Sequence, residues 1–375
     1  MKFRCERDEL LGAAQFASRA ISNRATLPVL SGVRLKALEG GEVSVAATDL
    51  ELTMETSFPA GVDEPGQAIV PGRLFGEMVR SLGAGRVSLA GGEGEVEIAS
   101  GRGQFRVKSL VTDDYPALAT EDRDTTDGIE VRIDAPALAR ALSQVVRSAA
   151  TDESRQILTG VLWEIETGSI TLAATDSYRL AVRSLTVSGG PAEVRKVILP
   201  SRALGELARS LQGATDVTAA FYANLATFSI TGGDGRQGRS AISSRFVEGE
   251  FPNYRQLIPE GYTNVLTVSR EDLLDVTKRV GLLAQNNLPV KLRLDSELEV
   301  SAHTPDVGEG QEVLDAEYTG EPLVIAFNPQ FLNDGTSAAG GERLVLSAGD
   351  GLKPAVLRSE DEADFTYLLM PVRLS

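Results

Sequence analysis

Histidine and cysteine are almost missing from this 375-residue chain, which holds one of each, His303 and Cys5. A single cysteine excludes an internal disulfide and fits a reducing cytoplasm. One Cys and one His also leave too few ligands for a zinc site of the usual kind, so no metal is expected. A Ser-His-Asp triad would have to use His303, whose setting after a strand, Ser-Ala-His-Thr-Pro-Asp, supplies no oriented partner. Long apolar runs are also lacking. Nothing approaches the roughly 18 apolar residues of a membrane helix, and the opening MKFRCERDEL is charged at once, so neither a signal peptide nor a membrane span is expected. No phosphate-binding loop of the G-x-x-x-x-G-K-[ST] type occurs. Gly233 to Gly238, GDGRQG, fits G-x-G-x-x-G, but the next stretch, Arg239 to Ser244, reads as a strand instead of the helix the motif needs, so GDGRQG reads as a hairpin loop. Positive charge is scarce: 37 Lys and Arg face 53 Asp and Glu, a net of −16, which at face value argues against nucleic acid.

What the chain does have is repetition. GVLWEIETGSITLAATDSYRLAV (Gly160 to Val182) restates GVRLKALEGGEVSVAATDLELTM (Gly32 to Met54), and both carry an identical Ala-Ala-Thr-Asp corner, at Ala46–Asp49 and Ala173–Asp176. PGRLFGEMVRSL (71–82) likewise returns as PSRALGELARSL (200–211). Such spacing marks a chain built by duplication. With 42% apolar and 24% charged residues the composition is that of a soluble globular protein, and the length suits two or three domains.

Taken in order, residues 8–22 have helical apolar spacing, with Asp8 and Glu9 at the positive end and Leu27-Pro28 as the stop. Strands are expected at about 29–37, 42–48 and 50–58, then a helix over 72–82, then strands at 86–90, 95–99 and 103–110. The segment closes on Asp114-Tyr115-Pro116 and an acidic linker, residues 120–128, read as a boundary. The second copy predicts helices over 136–149, with Asp134 as N-cap, and over 201–211, and closes on Glu250-Phe251-Pro252. A more diverged third copy opens with Ser269 capping a helix, pairs strands within 291–302, and places a helix at 329–338. The result is an α+β chain of three repeated domains, 1–124, 129–254 and 259–375, each with two helices and antiparallel sheet, because the links are short.

Asp49 and Asp176 could be imagined as a carboxylate pair. Recurring at a strand end, each reads instead as a turn-forming Asp bonded to its own backbone. The windows 8–24, 72–82, 135–150, 201–211, 270–284 and 329–340 hold 11 Lys or Arg and 8 Asp or Glu, a net of +3 that leaves −19 for the rest. Arg73 and Arg202 hold the same position in their two helices. Such arginines fit either an ordinary solvated surface or a weakly positive lining backed by acidic sheets.

The triplicated plan, the Pro-x-Arg helices, the Ala-Ala-Thr-Asp corners, EFPNYR (250–255) and YLLMPVRL (367–374) together resemble the bacterial β sliding clamp family, the processivity subunit of DNA polymerase III. The resemblance covers essentially the whole chain. It implies a head-to-tail homodimer closing a ring around duplex DNA, twelve helices lining the hole, no catalysis and no cofactor. On that reading Arg24, Arg73 and Arg202 serve DNA. The family's peptide pocket, carried over by motif, implies Leu158, Thr175, Ser177, Tyr178, Arg179 and Leu180, then Pro252 and Leu257, then Asn328 and Phe331, then Leu368, Met370, Pro371, Val372, Arg373 and Leu374. Implied partners are the polymerase III α subunit, the clamp loader and repair proteins with clamp-binding motifs (repair polymerases, ligase, mismatch repair), with no membrane partner. Ring closure implies Phe105 and Val107 on one side and Leu282 and Leu283 on the other. The chain departs from the family's pattern at Ser177-Tyr178, where Gly-His is common, at Gln256, where Arg is common, and in ending on Ser375. The competing readings are a hydrolase using Asp49 or Asp176, opposed by the missing base and nucleotide loop, and a duplicated protein scaffold that never meets DNA, favoured by the acidic total and opposed by the repeated Arg helices.

Overall fold

The computed structural model describes residues 1–22, 27–92, 94–118, 128–232, 238–285 and 288–373. Six α-helices lie among them: α1 (Arg7–Ser18), α2 (Gly72–Ser81), α3 (Ala135–Val145), α4 (Ser201–Ser210), α5 (Arg270–Gly281) and α6 (Pro329–Ala338). Their strand pairings are antiparallel throughout, as the short links require. Among the described residues no helix is long and apolar enough to cross a membrane.

The chain forms two compact units. One comprises Met1–Ala139, Val187–Gly190 and Arg202–Phe246; the other comprises Arg140–Thr186, Pro191–Ser201 and Val247–Ser375. The second sequence copy is therefore shared between them. In the first unit a nine-stranded sheet joins copies one and two where Arg239–Arg245 pairs with Leu52–Pro59, and a five-stranded sheet ends on the edge strand Gly103–Lys108. The second unit repeats this plan. Its nine-stranded sheet joins copies two and three where Arg179–Thr186 pairs with Phe365–Leu369, and a four-stranded sheet ends on Gly308–Leu314. Each helical layer buries its apolar face, with Leu10, Phe16, Phe75 and Val79 fully covered in the first unit and Leu142, Leu273 and Leu332 in the second.

Local chemistry explains most boundaries. Asp134 accepts from the Ala137 N–H at 2.8 Å, Ser269 from Asp272 N–H at 3.3 Å, and Asn328 from both Gln330 and Phe331 N–H groups, so three helices start on side-chain caps. The first helix departs from expectation. It ends at Ser18, well short of Leu27-Pro28, and Pro28–Ser31 forms a 3-10 turn, so the first strand of the repeated phrase starts at Gly32. Gly32 and Gly160 open the two copies for one steric reason: a Cβ would come within 2.5 Å of Ile69 and 2.4 Å of Ile198, respectively. The helix expected over 136–149 ends at Val145 and continues as the 3-10 turn Val146–Ser148. GDGRQG lies outside the described residues except for Gly238, and the strands flanking it are antiparallel neighbours. His303 is a strand residue whose Nδ1 lies 3.6 Å from Glu309.

Candidate functional site

The Ala-Ala-Thr-Asp corner of the second copy organises a groove within the second unit. Asp176 Oδ1 accepts from the N–H groups of Tyr178 at 2.9 Å and Arg179 at 3.0 Å, and Thr175 Oγ1 donates to the Arg179 carbonyl at 2.6 Å. This closed turn forces Ser177 to a φ of +80°, a conformation non-glycine residues seldom adopt. Asp49 does the same work in the first copy, accepting from Glu51 and Leu52 and leaving Leu50 at φ +81°. Both aspartates are turn formers, as their recurrence predicts.

The turn aims two side chains in different directions. Tyr178 stays 60% exposed and stacks on Phe331, with ring centroids 6.4 Å apart. Arg179 turns inward beneath Phe331, with its guanidinium carbon 4.4 Å from the ring centre. It donates to Asp176 at 3.0 Å, to Asp334 on α6 at 2.5 Å, to the Tyr367 hydroxyl and to the Arg147 carbonyl. Burial opposes its charge, but Tyr367, Asp334 and Asp176 outweigh burial and hold the guanidinium above its ordinary pKa. Burial pushes the Tyr367 hydroxyl up to about 12 against the pull of Arg179. Charge is therefore fixed under the groove at any physiological pH.

The floor is apolar. Leu180 and Leu368 face each other across the strand seam and cluster with Leu162, Ala173, Ile198, Tyr254 and Val356. Ile157, Val247, Phe251 and Ile258 pack on this cluster while staying partly open. The chain's last described segment forms one wall, since Met370 N–H donates to the Tyr178 carbonyl at 2.9 Å and Val372 N–H to the Ala326 carbonyl at 2.7 Å. Met370 is 39% and Leu257 48% exposed; Pro252 and Arg373 are open to solvent, while Leu158 and Pro371 are half-buried. The turn Tyr254–Leu257 is anchored by buried Glu164, which accepts from Tyr254 at 2.7 Å, from Arg255 at 2.8 Å and lies 3.0 Å from Lys196. Burial alone would raise the Glu164 carboxyl, but the hydrogen bonds from Arg255, Tyr254 and Lys196 prevail and hold it at about 2.

The residues named from sequence around this corner thus fall in one unit, with two qualifications. Asn328 spends its side-chain oxygen on the α6 cap. Leu374 lies outside the described residues. Sequence reasoning missed Arg155, which donates to the Asp176 carbonyl at 2.9 Å, and the half-buried Ile157, Val247 and Phe251. Nothing in their local wording marks them, because their role comes from strands distant in sequence.

The arginines behave unequally. Arg73 projects into solvent from α2 with 93% of its side chain exposed and only an i,i+4 contact to Glu77 at 3.2 Å. It shares a cleft of about 510 Å³ between α1 and α2 with Arg19 and Arg80, neither of which the sequence singled out. Arg202, at the matching place on α4, is half-exposed and ion-paired with Asp49 of the first corner. Arg24 lies outside the described residues.

At the sheet edges, Phe105 is 39% and Leu282 74% exposed, while Leu283 packs toward Gly310 of the edge strand Gly308–Leu314. Val107, on the same edge strand, is only 3% exposed, so of that pair Phe105 is the one that presents its side chain to solvent.

Three domain families match the chain in order: the N-terminal domain of the DNA polymerase III beta subunit over residues 1–119, the central domain over 132–253 and the C-terminal domain over 255–373. The chain is 34% identical to the beta sliding clamp of Streptomyces coelicolor and 33% identical to that of Synechococcus elongatus, with 100% of both chains covered in each case. Its fold superposes on the crystal structure of the DNA polymerase sliding clamp from Bacillus subtilis with a TM-score of 0.92 at 27% identity. The sliding clamp (DNA polymerase III subunit beta) from Bartonella birtlesii, solved bound to griselimycin, gives 0.92 at 30% identity, and both comparisons cover 100% of each chain. The chain belongs to the DNA polymerase III beta subunit family, the bacterial β sliding clamps.

Proposed function

We propose that the chain acts as a DNA sliding clamp: two copies join head to tail, close a ring around duplex DNA, and tether the replicative polymerase to its template without catalysing a reaction. The observation that carries this reading is the ordered three-domain match along the whole chain. The charge balance then makes sense. A ring linked topologically to DNA needs no strong phosphate contacts, which would slow its movement and make it depend on salt. Arg24, Arg73 and Arg202 belong to a weakly positive lining, and the acidic remainder of the chain keeps DNA off the outer walls.

The groove at the second corner is the docking site for short peptides of the polymerase α subunit, the clamp loader and repair proteins, all in the cytoplasm. The half-buried Ile157, Val247, Phe251 and Ile258, packed against the covered Leu180 and Leu368, receive Leu or Phe anchors, and the open Tyr178, Met370 and Leu257 flank them. Closure uses the two edge strands, Gly103–Lys108 and Gly308–Leu314, with Phe105 and Leu282 at the contact; pairing removes edges that otherwise invite aggregation. Glutamate at Leu282 and Leu283 is expected to yield folded monomers by sedimentation; a variant that stays dimeric would move the interface elsewhere.

The reading is tested by primer extension on a single-stranded circle with polymerase, loader and ATP. The protein is expected to lengthen the products made in one binding event, and an excess of a partner's clamp-binding peptide is expected to cancel the gain. Products of unchanged length, with loader activity verified independently, would refute it.

A further inference from the structure

One wall of the groove carries charge as well as apolar surface. The segment Val247-Glu248-Gly249-Glu250-Phe251 packs its two apolar side chains against the cluster around Leu180 and Leu368 and leaves both glutamates exposed. Its backbone is fixed at two points. Val247 N–H donates to the Ile198 carbonyl at 2.8 Å. Gly249, at a φ of +125°, lies so close to the floor that a Cβ there would be 2.7 Å from Ile157 Cδ1. Glu248 and Glu250 therefore flank the residue that rests on the half-buried Ile157. The 3-10 segment that carries Ile157, Glu153–Thr159, opens on a third exposed acid, Glu153.

The cations of these segments are already committed. Arg155 lies 3.4 Å from Asp152 and donates to the Asp176 carbonyl at 2.9 Å. Arg255, on the turn that follows Phe251, donates to the buried Glu164 at 2.8 Å. Glu153, Glu248 and Glu250 make no ion pair among the described residues, in contrast to the nearby Asp152 and Glu164. Negative charge is thus in surplus along the lip of an apolar groove. Hydrated charges of this kind add little to the fold, but at the rim of an interface they steer encounter and set partner choice.

We propose that the groove selects peptides that carry Lys or Arg beside their Leu or Phe anchors, and that Glu153, Glu248 and Glu250 are the residues that read this flank. One short segment then does both jobs: Val247 and Phe251 meet the anchors, and the glutamates between them meet the basic side chains. The inference rests on the docking reading above and adds the charge of the occupant. It also specifies what is turned away, since a peptide with an acidic flank meets like charge even when its anchors fit. Exposed pairs are screened by salt, with a Debye length of about 8 Å at physiological ionic strength, so the preference is graded and depends on salt.

The test is the association kinetics of fluorescein-labelled peptides with the full-length protein, followed by stopped-flow anisotropy. The peptides share the clamp-binding core of the polymerase α subunit and differ only in their flanks: Ser pairs on both sides, a Lys pair before the core, a Lys pair after it, or Glu pairs on both sides. At low salt the Lys pair on the side that meets the lip is expected to raise the association rate about fivefold over the Ser peptide and Glu pairs to lower it by a similar factor, with dissociation changing less than about twofold and the gap closing by about 0.5 M salt. Glu248→Gln/Glu250→Gln is expected to remove most of the Lys advantage over Ser. Glu297→Gln/Glu321→Gln takes the same charge from two exposed turns bordering strands of the four-stranded sheet and is expected to keep that advantage. Failure of the Ser peptide to bind wild type would overturn the docking reading and this inference together. Binding of the Ser peptide with no Lys advantage in either position, an advantage that survives in the Glu248/Glu250 variant, or one that the Glu297/Glu321 variant loses equally would overturn the inference alone. Should the Glu248/Glu250 pair fail to melt like wild type, Glu250→Gln alone carries the test, with a loss of about twofold in the Lys advantage.

Discussion

The two joints between sequence copies, one inside each unit, share a backbone and differ in nearly every side chain that matters. In both, an Asp corner sits at an antiparallel seam, and the strand after it is tied the same way: Arg245 N–H donates to the Glu51 carbonyl and Met370 N–H to the Tyr178 carbonyl, each at 2.9 Å. In both, an arginine ending the first helix approaches an acid on the next copy's second helix, Arg19 with Glu206 at 3.7 Å and Arg147 with Asp334 at 3.8 Å. The floors differ. At the first seam Thr53 faces Ser243, and hydroxyl pairs such as Thr53–Thr48 and Thr227–Ser243 occupy it. At the second, Leu180 faces Leu368. Hydroxyl groups bonded to one another present no apolar surface, whereas the cluster around Leu180 and Leu368 carries the half-buried Ile157, Val247, Phe251 and Ile258, whose remaining apolar surface an incoming Leu or Phe would cover. The ion pairing is rebuilt too: Leu52 stands where the second joint has Arg179, and Arg202 where it has Gln330. Duplication kept the backbone of the joint and left its side chains free to diverge, hydroxyl-lined at the first seam and apolar at the second.

The largest test of this contrast is Arg179→Ala. It leaves Asp176 and Asp334 partly buried without their common partner, so a loss of about 3–5 kcal/mol is expected in the urea unfolding of the protein. A loss below about 1 kcal/mol would show that the second joint is no more dependent on its buried charge than the first. Next is Glu164, whose place in the first copy is taken by Lys36. Its folded carboxyl sits at about 2, below the ordinary 4.5, so its contribution is complete above pH 4.5 and disappears as pH falls from there toward 2. Glu164→Gln is expected to cost about 2 kcal/mol at neutral pH, since the exposed Lys196 and Arg255 screen part of the pairing, and the gap to wild type is expected to close in acid. A gap that stays constant with pH would contradict the assignment. Smaller again is the exchange of groove residues for those of the first joint, Tyr178→Glu with Met370→Arg. Both side chains are exposed, so the fold should persist while peptide affinity falls at least about tenfold, or roughly 1.4 kcal/mol. Retained affinity would move the groove off this corner. Last, Arg202→Ala breaks a half-exposed pair with Asp49, and about 1 kcal/mol is expected.

Much of this is legible in the amino-acid sequence. The repeats name the corners and the caps at Asp134 and Ser269 name the helix starts, because local turns and caps depend on neighbours in sequence; the residues of 173–182 and 367–373 are singled out by the family resemblance alone. The illegible part depends on the seams. No pattern in 250–257 says that Tyr254 and Arg255 clasp Glu164, some ninety residues earlier. That Val107 is covered by its own chain while Phe105 stays open depends on how the sheet packs, not on neighbours in sequence.

The central claim is topological, and one experiment addresses it directly. The protein is loaded onto a nicked circular plasmid by a clamp loader with ATP, washed in high salt, and the circle is then cut. Retention on the circle and release from the linear DNA is the predicted result, because a ring slides off an end and resists salt. Salt-sensitive binding that is the same on both forms would contradict it, and would mean that the arginines hold DNA in a groove rather than line a closed ring.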